Sequence, residues 1–171
     1  MTNPISKAYE KLDDAIMYGV NKGVRAWNWS TGRTKSDLAN LLENSGLVVM
    51  TVGNVNCLGP LLAVPLSAYA FYLGLKGGEV YKKVDSLESE VLENGRSPEH
   101  SEKIKRVFKH GGPPAVLGGT VLAASNFSDD HFANYLGAFA SLVGISFYVM
   151  RADYLPRRKN VFSRVLNRES S

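Results

Sequence analysis

Cysteine is nearly absent from this chain: Cys57 is the only one in 171 residues. A disulfide framework is excluded, and Cys57, inside an apolar run, reads as a small buried hydrophobe. Charge is missing from three long windows, 44–75, 110–128 and 131–150, of 32, 19 and 20 residues. All 36 charged residues, 20 Lys and Arg and 16 Asp and Glu, lie outside them. The overall apolar content of 44% is ordinary, but charge segregated in this way points to a membrane protein with polar ends and loops. Composition also excludes collagen, a disordered chain and an acidic tail.

No cleavable secretory signal is expected, because residues 1–35 are polar and amphipathic and the first long apolar run starts near Gly46. The myristoylation glycine and the prenylation box are missing as well.

The first segment, 1–35, places Ile5, Tyr9, Leu12, Ile16, Val20, Val24 and Trp27 at steps of three or four residues. That spacing predicts an amphipathic helix over 4–28, with Asn3 or Ser6 as its cap. Trp27 to Lys35 should then break the pattern as a loop. Trp27 and Trp29 beside Arg33 and Lys35 suit a membrane interface, the rings at headgroup depth and the cations on phosphate. The alternative is a loop whose tryptophans plug a soluble core.

The second segment, 36–75, starts with a helix capped by Thr34 or Ser36 and enters the first uncharged window. Its 30 residues from Gly46 to Leu75 exceed the ~20 needed for one span and fall short of the ~40 for two. Gly53-Asn54-Val55-Asn56-Cys57-Leu58-Gly59-Pro60, with Pro65 beyond, is strong helix punctuation. The segment is either one kinked span or a re-entrant hairpin. Asn54 and Asn56 inside it must find partners for their amides. They either satisfy the broken backbone or line a polar path.

Residues 76–112 read as a polar helical hairpin. Val80, Val84, Leu87 and Val91 form one stripe, Gly95 is a stop, and Ser97-Pro98-Glu99 is a second start. Gly111-Gly112-Pro113-Pro114 should end the second helix. The fourth segment, 113–150, holds two apolar stretches separated by Ser128-Asp129-Asp130-His131. The first is short, roughly 21 Å as a helix. Small residues recur four apart: Ala115 and Gly119, Gly119 and Ala123, Gly137 and Ser141, Ala140 and Gly144. Such spacing lets helices approach closely, within the hairpin or against a partner. The tail, 151–171, is basic.

Cations decide the expected topology. Lys and Arg number 6 in 1–45, 8 in 76–109, none in 128–132 and 6 in 151–171. If 46–75 is a hairpin, all 20 lie on one side, the inner one. The N-terminus, the 76–109 segment and the tail would then face inward.

Chemistry-bearing patterns are scarce. Thr31-Gly32-Arg33-Thr34-Lys35-Ser36 lacks the spacing of a phosphate loop. Asp129-Asp130-His131 reads as a solvated turn, and His100 and His110 lack ligands at metal spacing. Tyr69, Tyr72, Tyr135 and Tyr148 fit aromatic belts. No residue earns a catalytic role, and neither cofactor nor metal is expected. Cations spread over three segments and mixed with acids argue against nucleic acid, and attraction to anionic headgroups explains the basic excess more simply.

The expected fold is all-α: a small integral membrane protein with two apolar hairpins and amphipathic polar helices on one side. The expected function is a structural or assembly component of a larger membrane complex or homo-oligomer, with lipid and other protein chains as partners. The alternatives are a pore or small transporter lined by Asn54 and Asn56, and a peripheral or soluble helical interaction protein.

Overall fold

The computed structural model describes residues 4–94, 99–124 and 131–152. Among these the regular structure is helical throughout, in five helices: α1 (Pro4–Thr31), α2 (Lys35–Leu58), α3 (Pro60–Asn94), α4 (Glu99–Ala124) and α5 (Phe132–Arg151). Asn3, the expected Gly95 stop and Ser97-Pro98 start, Ser128-Asp129-Asp130, and all of the tail beyond Ala152 lie outside the described residues.

Local chemistry explains most boundaries. Pro4 and Pro60 open α1 and α3, where the missing N–H is no loss. Ser6 therefore lies inside α1 and does not cap it. α1 also runs further than its periodicity suggests, through Trp29 to Thr31, so the expected loop over Trp27–Lys35 shrinks to three residues. Gly32 stops the helix at φ 68°, its N–H donating to Asn28 O at 2.9 Å. Thr34 then caps α2: its Oγ1 accepts from Asp37 N (3.4 Å), while Thr34 N donates to Asp37 Oδ2 (3.1 Å).

The punctuation in 53–60 acts at one point. α2 continues through Gly53, Asn54 and Asn56, and the chain reverses at Gly59 (φ 71°). Residues 46–75 therefore form a helical hairpin, α2 returning as α3 at Gly59.

Two expected breaks are corrected. α3 passes residue 76 without interruption, so the apolar and polar segments divided there are one 35-residue helix. α4 likewise runs through Gly111-Gly112-Pro113-Pro114, so 76–112 is not a hairpin separate from the next one. The two prolines forfeit the bonds that their N–H groups would make to the carbonyls of Lys109 and His110. Packing offsets that loss. Gly112, with no Cβ, tolerates helical dihedrals before a proline, and a Cβ on Gly111 or Gly112 would lie 3.0 Å from the Phe147 ring or 3.3 Å from the Tyr148 ring.

The helices alternate in direction. α2 and α3 form one antiparallel pair, with Ser36 opposite Asp85, Asn40 opposite Gly78 and Asn54 opposite Ser67. α4 and α5 form the other, with Gly119 opposite Ser141 and Gly144 opposite Val116. α2 and α5 join the pairs antiparallel, Gly46 lying on Phe139 and Gly53 on Tyr135. The order across the bundle is α3, α2, α5, α4. Near one end, here called the base, Val24, Ala39, Tyr81, Val84, Phe108, Val149, Met150 and Ala152 form the buried core.

This arrangement sorts polarity along the bundle axis. The uncharged parts of α2, α3, α4 and α5 (44–58, 60–75, 111–124 and 132–150) all point away from the base. At 1.5 Å per residue they are about 22, 24, 21 and 28 Å long. Among the described residues, Phe132–Arg151 is the one helix long and apolar enough to cross a membrane.

Candidate functional site

Three polar clusters and one apolar surface stand out. At the base, Lys35 is 5% exposed. Its Nζ lies 2.5 Å from Glu88 Oε2 on α3 and donates to Ala152 O (2.8 Å) and Met150 O (3.3 Å), closing the C-terminal end of α5. Ser36 Oγ donates to Asp85 Oδ2 at 3.0 Å beside it. One ammonium thus joins α2, α3 and α5.

The second cluster fastens α1. Asp13 accepts both guanidinium arms of Arg151 (2.9 and 2.7 Å) and the Tyr148 hydroxyl (2.6 Å). The paired Arg151 holds the Asp13 carboxyl below the usual carboxylate range, against the opposing effect of burial.

The third cluster centres on Glu43, which sequence reading missed. Its carboxyl occupies the space above Gly77, where a Cβ would lie 2.5 Å from both oxygens. Tyr81 faces it and shares a 2.9 Å hydrogen bond with Ser146 on α5. Glu43 Oε2 is buried with no hydrogen-bond partner among the described residues. Burial pushes the carboxyl above its usual range, with Tyr81 opposing. The available signal was Gly74, Gly77 and Gly78 on α3, which accept Leu47, Glu43 and Asn40 of α2.

A raised carboxyl pKa has a definite sign. The protonated form contributes stability that is complete below the unfolded-state pKa and lost as pH rises through the folded one. Glu43→Gln, which keeps the shape without the charge, should match the wild type near pH 4 and exceed it at pH 8. Denaturation midpoints followed by circular dichroism across that range test this. A wild type equal to the variant at pH 8 would refute the buried-carboxyl account.

The residues expected at a membrane interface divide into two pairs. Lys35 is a correction: it is buried and engaged at the base, so it cannot meet lipid phosphate. Trp27 is half-buried, its Nε1 donating to Thr34 O at 3.2 Å across the α1–α2 turn. Trp29, 73% exposed, and Arg33 do face outward.

The small residues pack within their own hairpin. A Cβ on Gly119 would sit 2.5 Å from Ser141 N and 2.7 Å from Gly137 O. One on Gly137 would press on Ala123 N, and one on Gly144 would lie 2.6 Å from Val116 N. The α4 and α5 backbones are therefore close along the Gly119, Ala123, Gly137, Ser141 and Gly144 face.

Asn54 and Asn56 are not brought together. Asn54, 1% exposed, donates to Ser67 Oγ on α3 at 3.3 Å. Asn56 is exposed and donates to Tyr135 OH on α5 at 3.2 Å. Two positions apart on a helix, they face different neighbours, and no shared path follows from them. Cys57 is half-buried. Among the described residues no group of three His, Cys, Asp or Glu side chains is arranged to hold a metal ion.

The apolar surface is the broadest feature. Val48, Val52 and Val55 on α2, Leu61, Leu62, Val64, Leu66, Tyr69, Phe71, Tyr72, Leu73 and Leu75 on α3, and Val121 on α4 are all exposed. Leu61 reaches 89%. No family model, no curated protein and no solved structure matches this chain.

Proposed function

We propose that this chain is a non-catalytic, membrane-embedded helical scaffold, a structural or assembly component of a larger membrane assembly. Its uncharged end lies in the bilayer and its charged base on the inner side. The observation that carries this reading is the exposed aliphatic and aromatic surface of α2 and α3, which coincides with the stretch lacking charge. A soluble monomer rarely exposes so many large apolar side chains on neighbouring helices. Opposite this end, the tied base supplies a rigid platform. The uncharged arms of α2, α3 and α4 are shorter than the roughly 30 Å hydrocarbon core, which suits a bilayer locally thinned or shared with neighbouring helices. The distribution of Lys and Arg supports the inward orientation.

The test is extraction of membranes from cells expressing the full chain. Protein kept in the pellet through an alkaline carbonate wash is the expected result. Release into the wash would sink the embedded reading and leave a peripheral role. Co-purification in mild detergent then identifies the assembly.

A further inference from the structure

The outward face of α1 carries a pattern that the bundle does not use. Asp13, Val20, Val24 and Asn28 turn toward the rest of the protein, all buried or half-buried. Away from these, Lys7, Lys11, Asp14, Tyr18, Lys22, Arg25 and Trp29 follow one another at steps of three or four, and every one is exposed. At 100° per residue they fall within an arc of about 80°, and they extend over about 33 Å. Four are cations and one is an acid, with Glu10 at the border. Lys22 Nζ lies 4.3 Å from the centre of the Tyr18 ring.

α1 is held at the base. Asp13 reaches Tyr148 and Arg151 at the end of α5, and Trp27 and Asn28 reach Thr34 and Arg33 at the entrance to α2. Residues 13 to 28 of α1 therefore remain at the level where the uncharged run of α5 ends, at Met150. If α5 spans the bilayer, that level is headgroup depth.

We infer that the Lys7–Trp29 stripe of α1 binds the anionic headgroup surface of the bilayer that holds the bundle, the cations pairing with lipid phosphate and carboxylate and Trp29 resting at the interface. Charge complementarity selects an anionic surface, and a second copy of this face would repel it. Trp29 and the nearby end of α5 favour lipid over nucleic acid, whose phosphates offer the same chemistry without an apolar boundary. The inference rests in part on the membrane reading above, yet it is tested separately.

The probe is energy transfer from Trp27 and Trp29, which lie in the last two turns of α1, to dansyl-labelled lipid. The full chain is reconstituted in phosphatidylcholine vesicles containing one-fifth phosphatidylserine. The label is carried as a trace on one lipid or the other. Transfer to dansyl-phosphatidylserine should exceed transfer to dansyl-phosphatidylcholine several-fold, and high salt should remove the preference. Lys11→Gln, Lys22→Gln and Arg25→Gln together remove three of the four cations of the stripe and should bring the ratio of the two transfers down to about one. All three side chains are exposed, so circular dichroism should be unchanged.

Equal transfer to both lipids in a carbonate-resistant protein would overturn the stripe while leaving the embedded reading intact. A carbonate-soluble protein that still binds phosphatidylserine vesicles through these residues would do the reverse. Binding of a labelled DNA duplex lost in the triple variant, with no lipid preference, would assign the stripe to nucleic acid and overturn the inference.

Discussion

Replacing Gly137 by leucine is expected to break the α4–α5 hairpin. Gly137 faces backbone: a Cβ there would press on Ala123 N and lie 2.6 Å from Gly119 O and 2.8 Å from Leu122 C. Overpacking that flexible side chains can absorb costs about 1–3 kcal/mol. Backbone atoms of a helix cannot rotate aside, so the expected loss is at the upper end of that range or beyond, and the helices must separate. Gly118 and Gly119 supply a paired control one residue apart. A Cβ on Gly118 meets nothing within 4 Å, whereas one on Gly119 meets Ser141 N and Gly137 O. Gly118→Ala should therefore be neutral or stabilising by up to about 1 kcal/mol through helix propensity. Gly119→Ala should destabilise. Equilibrium denaturation followed by circular dichroism reads both. Equal midpoints for the two alanine variants would show that the interhelical approach is looser than described.

These glycines also show how far the sequence was legible. Small residues four apart predict close helix approach, and they mark the α4–α5 contact. The pattern does not say whether the partner helix belongs to the same chain, because that depends on which face α5 presents. The same holds for all-helical character: the period of α1, the Thr34 cap and the Gly59-Pro60 reversal are local signals with local physical causes. The two expected breaks that did not occur, at residue 76 and at Gly111-Gly112-Pro113-Pro114, share another cause. Helix continuity there depends on packing against neighbours distant in sequence, Glu43 over Gly77 and Phe147 over Gly111. Local propensity does not encode that support.

The site residues divide along the same line. Trp29 is exposed on the outward face of α1, and Arg33 on the α1–α2 turn. Trp27 and Lys35, equally amphipathic by composition, turn inward for partners that only the folded chain supplies. Glu43 was illegible for a related reason. A single Glu beside an uncharged window reads as the edge of a polar segment. Its burial follows from the glycines of α3, more than 30 residues later. The uncharged windows themselves were visible from the start, but their gathering at one end of the bundle depends on the alternating helix directions.

Lys35→Met is the second substitution with a large expected effect. The side chains of Lys35 and Glu88 are only 4% and 7% exposed. A methionine fills similar volume but removes the cation beside Glu88 and the donor serving Met150 O and Ala152 O. Breaking one half of a buried pair typically costs 3–5 kcal/mol, because the remaining charge stays desolvated with its close cation removed. Here the loss is expected within that range, with an added share from the exposed carbonyl end of α5. Removing both charges is a different experiment. Lys35→Met with Glu88→Leu replaces the pair by apolar groups and should recover most of the stability, giving a large favourable coupling in a double-mutant cycle. A single variant within 1 kcal/mol of the wild type would mean that the ammonium reaches water, and the base would not be the rigid platform described. The single variant should also loosen α1, since Lys35 holds the end of α5 from which Arg151 reaches Asp13. Amide exchange in α1 should therefore accelerate in Lys35→Met and stay accelerated in the double variant, which restores no donor to Met150 O and Ala152 O. Exchange unchanged from the wild type in both variants would place the support of α1 elsewhere, in the Val24 core.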